Sequence, residues 1–84
     1  MPVSGIVVVP FKGKEKALVT RLNEMGVDAL GIGKKGIACV VEASSSKDIE
    51  RKVKLIESWD DVVNVSLIYH NFEDETRELS RDYQ

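Results

Sequence analysis

The chain lacks most of what chemistry at a protein site draws on. In 84 residues it has one cysteine, Cys39, and one histidine, His70. A single residue of each type cannot make a zinc or iron–sulfur site, nor the two-cysteine loop of copper-carrying domains. A small secreted fold is normally stapled by cysteine pairs, so the lone thiol points to a reducing compartment. Cys39 lies mid-strand among aliphatic residues and reads as an inert core thiol. His70 has no serine, cysteine or acid placed to orient it, which favours a structural or partner-contact role over that of a base. Basic excess is missing too. Twelve Lys and Arg face 14 Asp and Glu, for a net charge of −2, whereas nucleic-acid binding draws most of its affinity from a basic face. No apolar run is long enough to span a bilayer, and residues 1–9 carry no positive leader, so neither a membrane span nor a secretory signal is expected. The location this implies is cytoplasmic.

What is present is an ordinary small domain, 43% apolar and 31% charged. Its length allows one core, and a domain of this size buries only about 60–65% of its unfolded surface. Val3 to Val9 is a continuous apolar run ended by Pro10, the pattern of a strand buried on both faces. Leu18, Leu22 and Met25 then fall on one helical stripe, and Gly26 follows where a left-handed residue would end the helix. Val27 to Gly33 alternates and carries glycines and a charge, as an edge strand does. Lys34-Lys35-Gly36 turns the chain into the apolar strand Ile37 to Glu42. Ser45, with Asp48 three residues on, resembles a capping box with aspartate in place of glutamate. Ile49, Val53 and Ile56 form the stripe of a second helix, and Asp60-Asp61 leads into a β-branched, aliphatic and aromatic strand from Val62.

The order strand, helix, strand, strand, helix, strand, closed by right-handed crossovers, predicts a ferredoxin-like α+β fold of the split β-α-β type. The four-stranded antiparallel sheet has order 4-1-3-2, with both helices on one face. The two continuous apolar runs then take the centre, where shielding is greatest. Residues 1–75 form the domain, and 76–84 a polar tail.

Nothing in the sequence covers the other face of the sheet. Alternation predicts what lies there. Strand four contributes Asn64, Ser66, Ile68 and His70, leaving the more apolar Val63, Val65, Leu67 and Tyr69 to the core. Strand three contributes Ala38, Val40 and Glu42, and strand two Asp28, Leu30 and Ile32. Strand one contributes Gly5, Val7 and Val9, because the larger Ile6 suits the core. Four strands make a platform about 15 Å across, room for one helix ~10–12 Å wide. An apolar patch of this kind marks a partner site, and pairing with a second copy through the same face is the rival use.

Other motifs read more plainly. Gly31-Ile32-Gly33-Lys34-Lys35-Gly36 has the glycine spacing of a dinucleotide loop, but leads into a strand where that chemistry needs a helix N-terminus. Strands one and three lack the aromatics on which an RNA-recognition domain stacks bases. The loop Pro10-Phe11-Lys12-Gly13 offers no arginine for an acyl-phosphate hydrolase. The lysines at 12, 14, 16, 34 and 35 read as solvated charges, and Glu73, Asp74, Glu75 and Glu78 as a solubilising tail or an attraction for a basic peptide.

The run Val65-Ser66-Leu67-Ile68-Tyr69-His70, followed by an acidic stretch, resembles the C-terminal strand of the NapD family. The aliphatic first strand and Val40-Val41-Glu42-Ala43 add to the resemblance, which spans residues 3 to about 75. It implies a cytoplasmic, non-enzymatic chaperone of periplasmic nitrate reductase. Such a chaperone binds the twin-arginine signal peptide of the molybdenum-containing catalytic subunit and delays export until the cofactor is in place. Such a peptide has basic residues before an apolar segment and can bind as an amphipathic helix. No cofactor or metal of its own is implied. The expected contacts are Gly5, Val7, Val9, Leu30, Ile32, Ala38, Val40, Glu42, Ser66, Ile68 and His70, with Glu42, Asp28 or the tail meeting the arginines. The alternative is a ferredoxin-like module that senses a small ligand or forms homo-oligomers, without a signal-peptide client.

Overall fold

Two aliphatic runs take the centre of the sheet, and the rest of the architecture follows from covering one side of them. The structure is a computed structural model that describes residues 2–71, with the backbone alone at Tyr69, His70 and Asn71. The tail expected at 76–84, and with it the domain boundary at 75, lies outside the described residues. In chain order the elements are β1 (Val3–Pro10), α1 (Glu15–Glu24), β2 (Asp28–Gly33), β3 (Gly36–Glu42), α2 (Ser46–Glu57) and β4 (Val62–Asn71). The strands form one antiparallel sheet, β2-β3-β1-β4. This is the expected ferredoxin-like order, read from the opposite edge.

β1 and β3 pair without interruption, from Val3 opposite Glu42 to Val8 opposite Ile37. Cross-strand partners share a face, so Ile6 with Cys39 and Val8 with Ile37 look the same way. All four are buried, together with Leu18 and Leu22 of α1 and Ile49 and Ile56 of α2. One face of the sheet therefore meets both helices. Each aliphatic side chain buried there contributes about 1.5–3 kcal/mol relative to an exposed position. Arg21 lies over the Trp59 ring, 4.0 Å from its centroid, and ties α1 to the turn that follows α2.

The helix ends follow their local chemistry. Ser45 caps α2, its hydroxyl accepting from the Asp48 N–H at 3.2 Å. The Asp48 carboxylate accepts from the Ser44 hydroxyl at 2.9 Å and pairs with Arg51 at 3.2 Å. The serine half of the expected box is thus present, while the aspartate serves its neighbours Ser44 and Arg51. Gly26 closes α1 with φ +86, and Val27 N–H reaches back to the Leu22 carbonyl at 3.0 Å. That is the left-handed ending glycine permits at least cost.

The outer strands depart from simple alternation. In β4, Tyr69 stands opposite Gly5 and Leu67 opposite Ile6, so Ile68 is an extra, unpaired residue. Val63 is a second one, between the pairs Asn64–Val9 and Val62–Pro10. In β2, Ala29 pairs with Cys39 and Gly31 with Ala38, which leaves Leu30 as the extra residue. Each bulge shifts the register by one. All three extra residues are exposed: Leu30 by 69%, Val63 by 49% and Ile68 by 61%.

The observed ladder corrects expectations in both outer strands. Ile32 falls opposite Ile37, so Gly31, not Ile32, pairs beside Ala38 on the open face. His70 pairs opposite Ser4 and Tyr69 opposite Gly5, one step from the expected register. Val63 and Leu67, expected in the core, are exposed. Val63 is displaced by its bulge. Leu67 stands opposite Ile6 on the helix side, but beyond the cover of α2, where it borders a groove with Ile49 and Val53.

Candidate functional site

The sheet face that no described helix covers is built from the central strands outward. Val7 lies opposite Ala38 on one side and Ser66 on the other, and Gly5 lies opposite Val40. Val7, Val9 and Val40 are half-buried by their neighbours, and Ala38, Ser66 and Asn64 are exposed. Small side chains therefore line the middle of the face. The exposed alanine at 38 keeps the β3 side low, while Gly5, on the same row, is buried.

Toward β2 the face dips into a shallow cleft of about 540 Å³. Val7 and Ala38 form its floor, Leu30, Gly31 and Ile32 one wall, and the turn Lys34-Lys35 its end. Gly36 makes the dip possible. Its φ is +135, and a side-chain carbon there would lie 2.7 Å from the Val8 carbonyl oxygen and 2.8 Å from Val7 Cγ1. The third glycine of the dinucleotide-like spacing thus serves the close approach of β3 to β1 at a hairpin, not a helix packing on a strand.

Charge is distributed unevenly along the face. Glu42 ends β3 opposite Val3, and Asp28 opens β2 opposite Val40. Both are exposed, and neither carboxylate makes an ion pair or hydrogen bond with a described residue. Lys52 of α2 reaches the Glu42 backbone carbonyl at 3.3 Å and leaves the side chain free. Lys34 and Lys35 stand exposed at the opposite end of β2 and β3, likewise without a described partner.

A second groove, about 360 Å³, lies on the helix side between α2 and β4, bordered by Ser4, Ile49, Val53, Lys54 and Leu67. The first cleft is lined by no carboxylate, hydroxyl or thiol side chain, whereas the second also has Ser46, Glu50 and Glu57 in its lining. Among the described residues no three His, Cys, Asp or Glu side chains converge as a metal site would require. Two described groups, Cys39 and Asp48, titrate away from their ordinary range. Burial pushes the Cys39 thiol up to about 11. The Ser44 hydroxyl holds the Asp48 carboxyl low against an opposing effect of burial, with smaller help from Ser45, Arg51 and Lys52. Neither group lies on the open face. What that face offers is contact area and charge.

Of the residues expected here, Gly5, Val7, Val9, Ala38, Val40, Glu42 and Ser66 do lie on one continuous face. Leu30 and Ile32 border its cleft. Ile68 is exposed as a bulge residue, and the side chain of His70 lies outside the described residues. Sequence reasoning missed Lys34 and Lys35 as part of the cleft. The available signal was their place in a turn directly beyond the Val7–Ala38 row. Among the described residues no helix is long and apolar enough to cross a membrane.

A family model described as NapD protein matches residues 1–74. No protein of curated function matches the chain by sequence. Among solved structures, the chain is similar to one titled a hypothetical protein, PHS023, from Pyrococcus horikoshii. The TM-score is 0.77 at 20% identity, over 92% of this chain and 96% of that one. At that identity the likeness supports the fold alone.

Proposed function

The chain belongs to the NapD family, and on that premise we propose that it binds the twin-arginine signal peptide of the periplasmic nitrate reductase catalytic subunit. Family membership carries the general role, a chaperone in nitrate reductase maturation. The finer reading is that the bound leader is withheld from the export machinery until the molybdenum cofactor has been inserted. Such binding takes place in the cytoplasm, before translocation, and involves no catalysis and no cofactor of the chaperone's own.

The observation that carries this reading is the face that no described helix covers, apolar along Val7, Ala38 and Val40, with carboxylates at Asp28 and Glu42 that no described residue engages. A leader that folds into a helix lays its apolar side along that lane and brings its arginines to the carboxylates. Ordering a flexible peptide costs about 2–5 kcal/mol of the gross attraction. A preformed platform keeps that cost on the peptide side alone.

Titration calorimetry with a synthetic twin-arginine leader tests the proposal. Saturable binding is expected, and it is lost when both arginines become alanine. Ala38→Glu places a carboxylate under the apolar stripe of the leader and weakens binding at least about tenfold, or ~1.4 kcal/mol. A folded protein that gives no heat with the leader refutes the reading. A dimer by light scattering that Ala38→Glu dissociates would instead assign the face to self-association.

A further inference from the structure

We infer that the face fixes the direction in which a bound leader helix lies, with the helix N-terminus at Asp28 and Glu42 and its C-terminus at Lys34 and Lys35. The inference rests on the proposed function and adds polarity to it. The two charged ends are separated along β3 from Gly36 to Glu42, a rise of about 20 Å. A helix of roughly 13 residues covers the same distance at ~1.5 Å per residue. Two properties of the leader then agree. Its arginines precede the apolar segment, so its positive side chains sit at the helix N-terminus. The backbone dipole adds about half a positive charge at that same end and half a negative charge at the other.

Each end of the face meets its complement in one direction only. At the acidic end both carboxylates are exposed and unpaired among the described residues. At the basic end Lys34 and Lys35 close the cleft, and their ammonium groups are equally unengaged. Asp60 and Asp61 also lie toward this end, but at the β4 corner, where the Asp61 carbonyl accepts from Phe11 N–H at 2.9 Å. The cleft runs on the β2 side, away from them. Reversing the helix would set arginines against lysines and the dipole's negative end against carboxylates.

The experiment uses ¹⁵N-labelled full chain and two versions of one synthetic leader, with a nitroxide at either the N- or the C-terminus. The N-terminal label is expected to broaden the amides of Val3, Asp28 and Glu42, and the C-terminal label those of Ile32, Lys34 and Lys35. The opposite pattern, or equal broadening at both ends, overturns the inference while leaving leader binding intact. No broadening with either label, in folded protein, overturns the proposed function and the direction with it. A second arm compares affinities. The double variant Lys34→Glu, Lys35→Glu is expected to weaken the leader about fivefold while an alanine-for-arginine leader stays unbound. Unchanged or tighter binding of the wild-type leader by that variant also overturns it.

Discussion

Replacing Gly36 with alanine should be among the most damaging single-methyl changes this chain can suffer. The added carbon would sit 2.7 Å from the Val8 carbonyl oxygen, 3.2 Å from the Val8 carbonyl carbon and 2.8 Å from Val7 Cγ1. Two of those atoms belong to the backbone of a central strand and cannot swing aside. The residue also holds φ +135, a region that costs an L-residue on the order of 1–3 kcal/mol. Forcing a methyl into filled space adds roughly 1–3 kcal/mol, and the stiffer unfolded chain returns only about 0.4–1 kcal/mol. The net loss is about 1–6 kcal/mol with a central value of ~3, against a total stability of roughly 4–13 kcal/mol for a domain of this length. At ~4–8 °C per kcal/mol, that central value lowers the melting temperature by more than about 10 °C. Gly31→Ala is the control from the same glycine-rich stretch. It has an ordinary φ and nothing within 4 Å of the added carbon, so its melting temperature should stay within a few degrees of the wild type. Thermal melts followed by circular dichroism and by Trp59 fluorescence read both variants. Equal stability of the two would refute the reasoning, because it would mean that the β1–β3 approach at Gly36 does not constrain residue choice.

Other outcomes follow from the helix cap and the buried thiol. Ser45→Ala removes the acceptor of the Asp48 N–H and should cost about 1 kcal/mol, measurable by urea denaturation. The Asp48 carboxyl is held below its ordinary range in the folded protein, chiefly by Ser44. Its contribution is therefore present above the unfolded carboxylate pKa and is lost as pH falls through the folded value. Melting curves across the acid range should show a shallower decline for Asp48→Asn than for the wild type. Cys39 is shifted the other way. Its folded pKa is about 11 against an ordinary 9.0, so its contribution is complete below pH ~9 and is lost as pH rises toward 11. A thiol reagent at pH 8 should leave native Cys39 unmodified and label it only on unfolding. Rapid labelling of native protein would contradict its placement in the core.

The parts of the fold that could be read from the chain are those where one local rule governs each residue. Gly26 and Ser45 mark helix ends by chemistry confined to a single turn. β1 and β3 pair along an unbroken register, so alternation along them gave the correct faces even where Gly5, Val7 and Val9 differ little from their neighbours. The outer strands obey a rule that alternation does not contain. Leu30, Val63 and Ile68 are each an extra residue in a ladder, and each looks like the aliphatic residues beside it. No proline or charge marks them. Beyond the bulges at Leu30 and Ile68 the register is offset by one, so Ile32 and His70 pair one step from where alternation sets them, while Leu67 keeps its row and is exposed for want of cover by α2. The middle of the candidate site was legible for the same reason that the central strands were. Its lysine-bordered end was not, because Lys34 and Lys35 acquire their meaning only from the cleft that the close approach at Gly36 creates.

The two irregularities in β4 have a consequence for how the sheet meets other chains at its rim. A ten-residue strand at the rim of a sheet is long enough to template further strands from other molecules and so to seed fibrils. Extra residues at Val63 and Ile68 interrupt the row of outward amides and carbonyls and increase the local twist, so a straight incoming strand cannot register along its whole length. At the opposite rim the bulge at Leu30 does the same for β2. An incoming strand is thereby discouraged at both borders, so contact on the flat of the sheet, where the proposed leader would lie, is kept apart from irreversible polymerisation at its rims.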